Sequence, residues 1–108
     1  KRQTLLLIAL VNDKPAGIVR YDVDINFAVI GILISKEFRG QKLASKFLKE
    51  SATLYFNKFS VPVLAYIKKE NKASSRSFKN ANYTHFKDEN IQGSISEVYK
   101  LEERDVGA

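Results

Sequence analysis

The sequence predicts a mixed α/β fold: a central, largely antiparallel mixed sheet with helices packed on it. Three observations lead there. Short runs rich in Leu, Ile and Val open the chain, the apolar period turns helical after Gly40, and two further short runs close it. The order is strand-strand-strand-helix-strand-helix-strand-strand. At 108 residues the chain is long enough to close one hydrophobic core and too short for two, so a single domain over residues 1–108 is expected.

Gln3 to Val11 is an apolar run bounded by a turn, which predicts a buried strand. Asn12-Asp13-Lys14-Pro15 supplies turn chemistry, and Ala16 to Asp24 alternates as a second strand, giving an antiparallel hairpin. After a short turn at Asp24-Ile25-Asn26, Phe27 to Ile34 is a third strand. Gly31 inside it predicts a bulge or a close approach by backbone or ligand. From Gln41 to Lys58 the apolar positions Leu43, Ala44, Phe47, Leu48, Ala52, Leu54 and Tyr55 recur with helical spacing, and Arg39, Lys42, Lys46 and Lys49 form a basic stripe. Val61 to Ile67 is a short buried strand. Asn71 caps a second helix over Lys72 to Asn80, and Asn82 stands where a left-handed residue ends it. His85 to Gln92 and Glu97 to Glu102 are the last strands, parted by Gly93-Ser94, and Asp105 to Ala108 is a frayed tail.

Composition excludes several classes. Without Cys there is no disulfide, thiolate metal site or Cys nucleophile, and the single histidine, His85, argues against a metal site and reads as structural or surface. Absence of Cys suits a reducing cytosol but leaves the compartment open, and a cytoplasmic location stands as an expectation. The apolar run Leu5 to Val11 is far too short to span a membrane. It is not expected to be a secretory leader either, because Asn12 to Pro15 breaks it and no small-residue cleavage site follows. The net charge of +6 attracts polyanions: nucleic acid, acidic membrane or a phosphate-rich small molecule. The aromatics fall on predicted core faces instead of alternating with basic residues, which disfavours nucleic acid.

The third strand runs into Arg39-Gly40-Gln41-Lys42-Leu43-Ala44, where a helix begins. A helix N-terminus offers unpaired N–H groups and a dipole that favours negative charge, and a glycine lets an anion approach the backbone closely. The combination is a phosphate cradle to which Arg39, Lys42 or Lys46 can add charge. A glycine before a helix is also common, and a basic helical stripe is usually a solvated face.

This segment resembles the acetyl-CoA motif of the GNAT acetyltransferases: Arg or Gln, two free positions, Gly, one free position, then Gly or Ala. Arg39, Gly40 and Ala44 fit, whereas Lys42 stands where the family usually has its central glycine. A second segment, Asn71 to Tyr83, is similar to the other family signature, with Asn71, Ser74, Phe78, Asn82 and Tyr83 at its places. The resemblance covers about Leu5 to Leu101. It implies a GNAT-like fold lacking the first strand and the front helices, and acetyl-CoA as co-substrate. It also implies transfer of an acetyl group to a primary amine.

It further implies that the backbone of Ile32, Leu33 and Ile34 pairs with the pantetheine arm. Arg39, Gly40, Gln41, Lys42, Leu43 and Ala44 would hold the phosphates, with Asn71, Ser74 and Phe78 near the arm or thioester. Many relatives have Tyr where Phe78 stands, and Phe has no proton to give a departing thiolate. Solvent, Tyr83 or Ser74 remain as donors, and no catalytic residue is assigned. Asp22, Asp24 and Glu37 are the acidic groups nearest the predicted cleft, and surface solvation is the first reading of each.

The hairpin Lys14 to Asp22 and the segment Leu64 to Phe78 resemble a subgroup acting on amino groups of nucleotide-linked sugars. Protein N-termini and small amines are the alternative acceptors, and a non-catalytic acyl-CoA-binding module is the rival class. Homodimerisation is left open.

Overall fold

The computed structural model describes residues 2–40 and 42–107. The elements are β1 (Gln3–Val11), β2 (Lys14–Val23), β3 (Ala28–Ile34), α1 (Leu43–Lys58), β4 (Val63–Lys68), α2 (Lys72–Asn80), β5 (Thr84–Ile91) and β6 (Ser94–Leu101), with short 3₁₀ turns at Lys36–Phe38 and Glu103–Asp105. They form a six-stranded sheet of order β1-β2-β3-β4-β6-β5. All neighbours are antiparallel except β3 and β4, which are parallel and joined by the crossover through α1. This is the mixed, largely antiparallel sheet that the pattern of periods predicts.

The two hairpins turn on residues of positive φ, Asn12 and Asp13 at 51° and 66° and Gln92 and Gly93 at 50° and 84°. Such turns match the twist of the flanking strands. Lys14 and Pro15 belong to β2 instead of the turn, because a register shift between Ala9 and Leu10 lets Pro15 enter the strand at a bulge. Asn82, after α2, has φ of 75°, as its place at the helix end requires.

Both helices lie on one face of the sheet. Tyr21, Val19, Ile30, Val63, Ala65, Ile67, Tyr99 and Leu101 from the strands close a core with Phe47, Leu48, Ala52 and Tyr55 of α1 and Phe78 of α2. One expectation fails here, and another fails in part. β1 is not buried: it is a sheet edge, and its outer-face residues Leu6, Ile8 and Leu10 are 56%, 61% and 56% exposed because both helices pack on the other face. Gly31 makes no bulge, since it pairs in regular register with Arg20, and a Cβ there would meet nothing within 4 Å. The close approach is at Gly17, where a Cβ would sit 2.7 Å from the Leu33 carbonyl oxygen.

Candidate functional site

β3 and β4 pair at only two positions, Ala28 with Val63 and Val29 with Leu64. Beyond Val29, β3 has no ladder partner on the β4 side among the described residues, so its last residues line an opening in the middle of the sheet. Because the strands are parallel, α1 and α2 both begin beyond their carboxyl ends, at the mouth of this opening. That is where open α/β sheets place ligands.

A cleft of about 420 Å³ lies at the mouth. Ile34 and Phe38 form one wall, and Gly40, Lys42 and Leu43 to Ser45 form the rim at the start of α1. Ala73, Arg76, Ser77 and Asn80 of α2 form the opposite wall. The Ser45 hydroxyl donates to the Ser77 carbonyl at 3.3 Å and ties the two helices together. Arg39 also borders the cleft and donates from Nε to the Ile34 carbonyl at 3.0 Å, which fastens the loop to the end of β3.

The charges converge. Arg39, Lys42 and Arg76 border the cleft, and no carboxylate does among the described residues. The N-terminus of α1 adds to them. Its N-cap is Lys42, in the left-handed conformation with φ of 58°, and no side chain caps the helix. A lysine has no acceptor to offer, so the first N–H groups of this 16-residue helix stay available to an anion. By contrast, α2 is capped: the Asn71 side chain accepts from the Ser74 N–H at 3.2 Å. The uncapped terminus is thus the one ringed by cations.

Of the residues anticipated from sequence, Ile34, Arg39, Gly40, Lys42, Leu43 and Ala44 line the cleft. Gln41 lies outside the described residues. Ile32 packs against the core and the Leu33 side chain is 61% exposed on the far face, so any contact they make with a ligand is by backbone. Asn71 and Ser74 do not border the cleft. Phe78 is buried, edge-to-face with Tyr83 at 4.9 Å. The α2 wall went unread. Its signal is the spacing of Ala73, Arg76, Ser77 and Asn80, one face of a helix whose opposite face carries Ser75 and Phe78.

Helix α1 begins at Leu43, later than the Gln41 read from sequence, because Gly40 and Lys42 both take positive φ, which a continuing helix excludes. Tyr83 is unsuited as a proton donor. Its hydroxyl is sealed in the core, has no partner among the described residues, and burial pushes its pKa well above the usual range. The acidic candidates stand apart from the cleft as well. Asp22 accepts from Arg20 Nε at 3.0 Å and Thr4 Oγ1 at 3.1 Å, and the Arg20 bond first of all holds its carboxyl below the usual carboxylate range. Asp24 accepts from the Ile25 N–H and lies 3.8 Å from Arg2.

The fold has many solved counterparts. An aminoglycoside acetyltransferase, AAC(6')-Ib, in complex with coenzyme A and kanamycin, superposes with a TM-score of 0.81 at 14% identity, covering 94% of this chain and 68% of that one. A spermidine N-acetyltransferase chimera from Vibrio cholerae and hSSAT gives 0.81 at 14% identity, with 95% and 71% coverage. A GNAT-family acetyltransferase from Streptococcus pneumoniae gives 0.77 at 16%, with 92% and 66% coverage. This chain therefore spans about two thirds of the length of these structures. No curated protein matches the sequence. The sequence model of the acetyltransferase (GNAT) family matches residues 1–83, a stretch that holds β3, β4, both helices and the cleft between them, and the chain belongs to that family.

Proposed function

We propose that the chain binds acetyl-CoA in this cleft and serves the transfer of its acetyl group to a primary amine in the cytoplasm. The observation that carries the reading is the meeting of an uncapped, cation-ringed helix N-terminus with a strand that has lost its neighbour. The first suits a pyrophosphate. The second suits an extended arm bearing amides, which can pair with the free edge of β3 at Ile32, Leu33 and Ile34. Gly40 and the N–H groups of Lys42, Leu43 and Ala44 receive the phosphates, flanked by Arg39 and by Arg76 from α2. Gln41 belongs to the same turn by sequence. Asn71 and Ser74 serve first as the cap of α2, and Phe78 holds that helix on the sheet.

In the reaction a neutral amine attacks the thioester carbonyl. A C–N bond forms, the C–S bond breaks, and the thiolate leaves and takes up a proton while the amine gives one to solvent or a base. Aminoglycoside and spermidine acetyltransferases share this fold, so polyamine-like acceptors belong in any trial. The amino group of a nucleotide-linked sugar is the acceptor we favour, on the likeness of Lys14–Asp22 and Leu64–Phe78 to enzymes of that subgroup. A binding-only module is the second reading, favoured by the absence of a carboxylate at the cleft among the described residues and by Phe78 in place of a hydroxyl.

Calorimetry with acetyl-CoA tests the first step. The chain binds, and Arg39→Ala and Arg76→Ala each weaken binding by roughly tenfold, the effect of losing one charge-assisted contact. A folded sample without binding overturns the proposal. Thiol release measured over nucleotide-linked amino sugars, aminoglycosides, polyamines and peptides then separates the readings. Turnover with one class names the acceptor, and binding without any turnover supports the module.

A further inference from the structure

His85, Asp88 and Glu97 stand away from the cleft, on the face of the β5–β6 hairpin that α2 crosses. Each offers one ligand atom, and the three atoms lie within 4.8 Å of one another. Residues three apart on a regular strand point to opposite faces. Here a register shift between His85 and Lys87 adds one residue to β5, so that His85 faces Tyr99, Asp88 faces Glu97, and both share a side with Glu97. His85 Nε2 and Asp88 Oδ1 are already 2.8 Å apart. The half-buried Glu97 carboxylate is held from α2 and from its own strand: its Oε1 accepts from Ser75 Oγ of α2 at 3.2 Å and from Tyr99 OH, two residues along β6, at 3.0 Å. The His85 ring packs edge-to-face on Tyr99 at 5.7 Å, which fixes the imidazole plane. Lys87, the cation next to the cluster on β5, is paired with Glu89 at 3.0 Å and leaves the carboxylates unneutralised, while Lys79 of α2 lies over the Tyr99 ring at 5.9 Å.

We propose that His85, Asp88 and Glu97 form a binding site for a divalent transition-metal ion of the zinc class. One imidazole and two carboxylates are ligands such an ion accepts, at about 2.0–2.2 Å, with a fourth position left to water. A tetrahedral ion sets its ligand atoms roughly 3.4 Å apart, so the His85–Asp88 pair, now at 2.8 Å, opens by about half an ångström, and separations that reach at most 4.8 Å close by about 1 Å. Hydrogen bonds from Ser75 and Tyr99 then orient the Glu97 carboxylate from outside the coordination sphere. The ion ties β5, a sheet edge solvated on both faces, to β6, and through Ser75 to α2. A lone histidine in the sequence argues against a metal site, but the bulge lets one histidine suffice by turning Asp88 to the side where His85 and Glu97 already stand.

The site is probed with Co²⁺ and Zn²⁺ alone, on the intact chain. Wild type takes up one Co²⁺ per chain with a visible d–d absorption band, Zn²⁺ displaces it, and Zn²⁺ raises the melting temperature. His85→Ala and Glu97→Gln each abolish the band and the shift in melting temperature, while a circular dichroism spectrum like the wild type's keeps the result interpretable. Ser75→Ala, which leaves all three ligands, weakens Co²⁺ binding by about tenfold. No saturable Co²⁺ band in wild type, or a band that survives in His85→Ala, overturns the site. Because the cluster lies outside the acetyl-CoA cleft, acetyl-CoA binding by His85→Ala is unchanged, and the metal proposal fails or stands independently of the cofactor reading.

Discussion

Tyr21 shares its hydroxyl with Ser51 Oγ at 2.7 Å, and Tyr55 donates to the Val61 carbonyl at 2.9 Å. Tyr83, packed against Phe78 in the same core, has no such partner among the described residues. A buried hydroxyl that gives up water without a replacement costs about 1–3 kcal/mol, whereas the ring around it contributes its full apolar burial. Tyr83→Phe keeps the ring and removes the orphan. The variant is therefore expected to be more stable by about 1 kcal/mol, a rise of roughly 4–8 °C in melting temperature for a chain of this size. Thermal unfolding checks it, and a lowered melting temperature would mean that the hydroxyl has a partner in solution. Lys42 carries a different burden at this scale. It occupies a left-handed position that glycine tolerates better, and its presence leaves the α1 terminus uncapped with an ammonium beside it.

At the scale of the element, α2 matters because its exposed side forms half of the cleft while Asn71 secures its start. Removing the cap in Asn71→Ala costs about 1 kcal/mol of stability, read from denaturant midpoints. If capping is its whole role, acetyl-CoA affinity at a temperature well below the melt falls less than twofold, and a loss of tenfold or more would place Asn71 on the ligand itself. The bounds of β1 and α2 are legible residue for residue in the sequence, because a change of period and a capping Asn are local signals. So is the turn at Gly40, since the apolar period changes from strand to helix across it.

What local signals cannot carry is the partner of each face. Arg76 and Asn80 become part of a cleft only because α1 lies across from them. β1 reads as buried until only one side of the sheet proves to be covered. Gly31 and Gly17 are alike in sequence, and the register across β2 and β3 alone decides which one another backbone approaches. The three ligands at the β5–β6 hairpin were hidden for the same reason, since a bulge changes which residues share a side.

For the whole molecule, the core is stitched by tyrosines, and that sets its response to alkali. Tyr21, Tyr55 and Tyr83 come from β2, α1 and the turn after α2, and the first two rings stack at 4.6 Å. Burial pushes Tyr21 and Tyr55 up to about 12 and Tyr83 well above the usual 10.0. These folded-state values are raised, so the contribution is fully present below pH 10, where both states keep the proton. It declines as pH rises from 10 through about 12, because the unfolded chain ionises first and draws the equilibrium to itself. Tyr21 alone accounts for about 3 kcal/mol across that window. Set against a total of about 5–15 kcal/mol for a small domain, that is a substantial share from one side chain, and Tyr55 and Tyr83 act in the same direction. Titrated from pH 9 upward, the chain is expected to lose its far-ultraviolet dichroism in a cooperative step between pH 10 and about 12, and the buried tyrosines should ionise in that same step. Ionisation of all five tyrosines with the dichroism intact would show that water reaches these hydroxyls without unfolding, and that the core is looser than its packing implies.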